Sequence, residues 1–100
     1  MTVKCVARRM ASGGSGHEHI SHLWWVSLDQ AGDQVSEGFS TREQMVEFIE
    51  KNGDNIVWCP DRNPSVTGAW VRVNSNGYTK YVQTVADGRK TDNLLSLPLR

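Results

Sequence analysis

The stretch SGGSGHEHISHLWW, residues 12–25, packs three glycines, three histidines and two tryptophans into one short segment. Three chemistries suit such residues. Imidazoles at His17, His19 and His22, joined by the thiol of Cys5 or Cys59, are ligand types that zinc accepts, and a catalytic zinc needs three of them around an open position. Backbone N–H groups of a glycine-rich turn (Gly13, Gly14, Gly16) form an anion-binding nest, here preceded by Arg8 and Arg9 and containing Ser12 and Ser15. An indole such as Trp25, beside imidazoles and arginines, is a stacking platform for a base or another planar group.

Spacing separates these readings. On a strand His17 and His19 share a side and His22 points to the other, and no second tightly spaced pair of ligands follows, so neither a metal nor a cofactor is expected. A phosphate-binding P-loop lies between a strand and a helix and ends in lysine and a hydroxyl, whereas this loop leads into histidines and a strand. Cys59, followed by Pro60 and Asp61, has no base oriented toward it by a third group. Carboxylates are scattered over turns and one helix face instead of being paired. The expectation is a protein that is not an enzyme.

The elements that must position these residues follow from periodicity. Thr2 to Arg9 alternates, with Val3, Cys5 and Ala7 on one side and Val6 the exception, as in a strand with one solvated face. From His17 to Leu28 a period of two predicts a strand whose even positions (Ile20, His22, Trp24, Val26, Leu28) are buried, with His17, His19 and Trp25 opposite. LDQAGDQ reads as a turn and 35–39 as a short third strand. In FSTREQMVEFIEKNG, Ser40 as N-cap with Glu43 three residues on predicts a capping box, and Gly53 a helix stop. The stripe Met45, Val46, Phe48 and Ile49 lays that helix across a sheet face. NIVWCP is a buried strand, PDRNPSVTG a loop, and Asn76-Gly77 between AWVRV and YTKYVQTV the central pair of a two-residue hairpin turn. The tail turns at Asp87-Gly88, and a short helical turn starts at Asp92; leucines 94, 95, 97 and 99 pack on the domain or on another copy. The fold class expected is α+β, an antiparallel sheet of about five strands with one capped amphipathic helix (about 41–52) on one face.

One hundred residues suit one compact domain, 1–100, with a core of its own. Eleven basic and eleven acidic side chains cancel, which removes the long-range positive field of a non-specific duplex binder. A local cluster of Lys4, Arg8, Arg9, Arg89 and Lys90 can form only by folding. No segment has signal-peptide or membrane-spanning length, so a cytoplasmic protein without membrane contact is expected. Cys5 and Cys59 read as buried free thiols.

The segments KCVARRM, SGGSGHEHISHLWW, STREQMVEFIE and TVADGRKTDNLLSLP together resemble a family of small bacterial and phage domains of unknown function. The resemblance spans nearly the whole chain, departs from the family in the loop at 60–68, and implies a stand-alone module with no assigned activity. Two functions are then expected. The first is a binding module in which Arg8, Ser12, Gly13, Gly14, Ser15, Gly16, His17, His19, Trp25, Arg89, Lys90 and Thr91 hold a small anionic or nucleotide-like ligand, sequestering it in the manner of phage counter-defence proteins. The second is a protein-interaction or inhibitor module that uses Trp25, the leucine tail and an open sheet edge. Homo-oligomerisation suits either, since one helix leaves apolar sheet area uncovered.

Overall fold

A computed structural model describes residues 2–61, 68–86, 89–91 and 93–100, without the side chains of 86, 89 and 90. The loop at 62–67, the turn at Asp87-Gly88 and the helical start at Asp92 lie outside the described residues. The chain runs β1 (Thr2–Met10), a 3-10 turn (His17–His19), β2 (Ile20–Leu28), β3 (Gln34–Thr41), α1 (Arg42–Asn52), β4 (Val57–Cys59), β5 (Ala69–Ser75), β6 (Lys80–Ala86), β7 (Arg89–Thr91) and a second 3-10 turn (Leu94–Ser96). No helix among the described residues is long and apolar enough to cross a membrane.

The α+β layout with one helix holds, but the sheet is larger than expected and mixed. Its order is β3-β2-β1-β4-β5-β6-β7. Five strands have seven residues or more, and the two of three residues, β4 and β7, complete it. β1 and β4 are parallel, with Val3 opposite Val57 and Lys4 opposite Trp58; the other pairs are antiparallel. The parallel pair arises because α1 carries the chain from β3 at one edge back over the sheet to β4 beside β1, and parallel neighbours need such a crossover. In crossing, α1 packs on β2, β3, β5 and β6, with Met45, Val46 and Ile49 buried.

The helix is capped one residue later than expected. Thr41 Oγ1 accepts from the Gln44 N–H at 3.2 Å, and Gln44 Oε1 accepts from the Thr41 N–H at 2.9 Å. Ser40 is engaged elsewhere: it pairs with Leu23 within β3, and its hydroxyl accepts the Trp25 indole N–H at 3.0 Å. Gly53 ends the helix with φ 99° and donates to Ile49 O at 2.8 Å. The hairpin after β5 is also displaced by one residue. Asn76 N donates to Thr79 O at 3.3 Å, so Gly77-Tyr78, with Gly77 at φ 93°, form its centre.

Strand parity in β2 is the reverse of the expectation. His17–His19 is a 3-10 turn and not strand, and the odd positions Leu23, Trp25 and Ser27 face α1, while His22 and Trp24 face away. The cause is in β1, where Cys5 lies opposite Trp25 but Ala7 lies opposite Trp24, leaving Val6 as an unpaired bulge. A second irregularity, between Arg9 and Met10, places Ile20 opposite Met10 and in the core.

The tail is part of the fold. Leu94 and Leu97 enter the same core as Ile20 and Leu23. Pro98–Arg100 runs beside the second half of β1, where Arg8 N donates to Pro98 O at 2.9 Å and Arg100 N donates to Arg8 O at 2.8 Å. Cys5 and Cys59 are both buried and unbridged.

Candidate functional site

The glycine loop closes on itself. Gly14 N donates to Ala11 O at 3.0 Å, Ala11 N to His19 O at 2.7 Å and Gly16 N to His19 Nδ1 at 3.3 Å. Two of the amides required by an anion nest are thereby turned inward. A Cβ on Gly14 would strike the His19 side chain, so this glycine serves the packing of an imidazole. Ser12, Gly13 and Ser15 are exposed. His17 is buried in a turn that packs on β6, and His19 is exposed with Nδ1 3.6 Å from Glu18 Oε1. With His22 on the outer face the three imidazoles diverge, and among the described residues no three potential metal ligands gather.

The remaining expected site residues separate as well. Arg8 turns its guanidinium into the domain, where Nη2 donates to Leu95 O at 2.7 Å and Nε and Nη1 are buried without a partner. Trp25 packs under α1. Arg89, Lys90 and Thr91 form β7, at the opposite sheet edge from β3, and the Thr91 hydroxyl bonds that of Thr84 on β6. The 3-10 turn of His17 and β7 thus meet the same strand, β6, but Arg8 and Trp25 do not join them.

A different cluster forms on the face away from the helix. The Arg9 guanidinium carbon lies 5.0 Å, and that of Arg100 5.6 Å, from the centre of the Trp24 ring. Phe39, 61 % exposed, stacks with that indole at 5.6 Å and 28°. His22 stands 6.3 Å from Trp24 and 6.2 Å from Phe39, its Nδ1 2.9 Å from the Ser21 hydroxyl. That hydroxyl also donates to Arg9 O at 3.1 Å, and Arg9 Nε donates to Arg100 O at 3.2 Å. Among the described residues no Asp or Glu side chain pairs with Arg9 or Arg100.

Each member is placed by the backbone. Trp24 lies opposite Phe39 on β3, and the bulge at Val6 aligns Arg9 with His22. Arg100 arrives through the tail's pairing with Arg8. One signal in the sequence reaches this site: adjacent tryptophans on a strand must point to opposite faces, so one indole looks outward whatever the register. The same face continues along the sheet, where the Lys4 ammonium lies 5.6 Å from the Trp58 ring and Trp58 is opposite Trp70.

Fold and cluster together define a small α+β domain with one helix, which leaves an aromatic, cationic sheet face uncovered by any helix among the described residues. The chain belongs to an uncharacterised family, described as protein of unknown function (DUF3892), whose model matches residues 2–98. Comparison with curated proteins and with solved structures gave no match.

Proposed function

We propose that this protein is a non-enzymatic binding module that holds a small nucleotide-like anion on its open sheet face. The observation that carries this reading is the pair of guanidiniums, Arg9 and Arg100, held over Trp24 without an Asp or Glu partner among the described residues and beside the exposed Phe39 ring. A base stacks on the free side of Phe39 next to His22, and base–aromatic stacking contributes about 1–3 kcal/mol. Its phosphate reaches the guanidiniums, whose planar donors suit bidentate phosphate binding. On this reading the protein sequesters its ligand in the cytoplasm, as phage counter-defence modules do.

Titration of the isotope-labelled protein with adenosine monophosphate, cyclic dinucleotides and adenosine tests this. The nucleotides should shift the Trp24 and His22 resonances, and adenosine should bind at least about tenfold more weakly, since it lacks the charge-assisted bonds. Trp24→Ala and Arg9→Ala should each lose about tenfold in affinity. Absence of any shift at Trp24 across the panel ends the proposal.

One observation favours a second reading. Strand β3 is a sheet edge of eight residues with Val35 58 % and Phe39 61 % exposed, a template for strand addition by a protein partner. A single protein retained from cell extract, lost with Val35→Lys, and coupled with silence on the nucleotide panel selects it.

A further inference from the structure

The helix side of the sheet holds a cleft of about 470 Å³ between α1 and strands β2 and β3, within the size range of small-molecule sites. Val3, Trp25, Phe39, Met45 and Phe48 supply its apolar lining, and every described residue lining it is uncharged. The Trp25 ring is fixed there. Its N–H is bonded to Ser40, and opposite it stands Gly38, where a Cβ would come within 2.9 Å of the indole Cζ2; only bare backbone leaves that ring its place.

Ser27 is the most enclosed polar residue of the lining. It lines the cleft and is only 5 % exposed, yet its hydroxyl makes no hydrogen bond among the described residues. The oxygen is not sealed from solvent; it opens on the cleft, where a bound polar group can reach it.

We propose that this cleft is a second ligand site, for a neutral, largely apolar ring compound carrying one hydrogen-bonding group that engages the Ser27 hydroxyl. Apolar walls and the indole exclude a charged ligand, because no cation or anion lines the cleft to compensate its desolvation. The cleft opens on the opposite sheet face from Trp24, and Phe39 borders both, so the two sites are told apart by which indole responds.

Three ring-matched probes test it on the whole chain: 1-naphthol, naphthalene and naphthalene-1-sulfonate, followed at the Trp25 indole N–H and the Ser27 and Gly38 amides. Naphthol should bind about fivefold more tightly than naphthalene, the worth of one hydrogen bond, and the sulfonate at least about tenfold more weakly than either. In Ser27→Ala naphthol and naphthalene should bind alike, because the hydroxyl that distinguishes them has been removed. Ser36→Trp, at an exposed lining position, should weaken both neutral probes by about tenfold or more by filling the space. The proposal is overturned by silence at Trp25 under millimolar naphthol, by equal binding of the sulfonate, or by shifts at Trp24 instead. It is equally overturned by a Ser27→Ala protein that keeps the naphthol preference.

Discussion

At Cys5 and Cys59 burial suppresses the chemistry that a thiol otherwise brings. The parallel register of Val3 with Val57 sets the two residues side by side, both fully buried. Loss of hydration is the main reason that both thiols are pushed up from an ordinary value near 9.0, Cys59 to about 12 and Cys5 further, with the Cys59 charge adding to the shift of Cys5 and Asp61 to that of Cys59. Both are therefore protonated at neutral pH, and it is the thiolate that reacts. A thiol reagent at about pH 8 should modify the native protein only as fast as it opens, and the urea-unfolded chain at once. The sign of the linkage is set by the raised values: the folded state keeps protons that the unfolded state releases, so this contribution is intact below the ordinary thiol pKa and is lost as pH rises through the folded-state values. Thermal melts should fall in temperature between about pH 9 and pH 12, and less steeply in a Cys5→Ala/Cys59→Ala protein, even if that variant starts lower.

Among elements, the start of α1 separates what local sequence specifies from what tertiary contacts decide. STREQ offers two hydroxyls in succession, each with a Glu or Gln three residues on, so two capping boxes compete. The indole of Trp25 settles it by taking the Ser40 hydroxyl, leaving Thr41 and Gln44 to cap the helix. Thr41→Ala should therefore cost about 1 kcal/mol and lower the melting temperature by about 4–8 °C for a domain of this length. Ser40→Ala should leave the cap intact and shift the Trp25 indole N–H resonance, which Thr41→Ala should not; the reverse pattern would return the cap to Ser40. The same division explains which parts of the fold were legible. The helix stripe, the turn glycines at 53 and 77 and the inward pair Val3 and Cys5 are local patterns that survive in the structure, whereas Ala7, expected on the same side, lies past the bulge opposite the outward Trp24. The parity of β2 is not local: with Trp24 and Trp25 adjacent both faces read as apolar, and the bulge that chooses between them lies on the neighbouring strand, where Val6, the one break in the alternation of β1, is its only trace. Register errors of one residue exchange entire faces. Hence the expected site was built on Trp25, while the indole that meets arginines is Trp24.

On the scale of the molecule, the two ends of the chain complete each other. The three-residue β4 pairs with β1 only at Val3 and Lys4, so the second half of β1 needs another neighbour, which Pro98–Arg100 supplies through the hydrogen bonds of Arg8. The tail also contributes Leu94, fully buried, and Leu97 to the core shared with the sheet and helix, and it delivers Arg100 to Trp24. Stability and binding therefore meet in one segment and can be separated there. Leu94→Ala should cost about 2–5 kcal/mol through the cavity it leaves, a large part of the roughly 5–15 kcal/mol typical of a domain, whereas Leu99→Ala, at a position 69 % exposed, should stay within about 0.5 kcal/mol of the parent. Arg100→Ala should melt like the parent and lose about tenfold in nucleotide affinity, because it removes one of two guanidiniums from the indole without touching the core. Denaturant titration of the three variants beside nucleotide titration of the folded ones checks the separation. An Arg100→Ala protein that binds undiminished would leave the tail with a purely structural part, and a Leu94→Ala protein as stable as Leu99→Ala would show that the core closes without it.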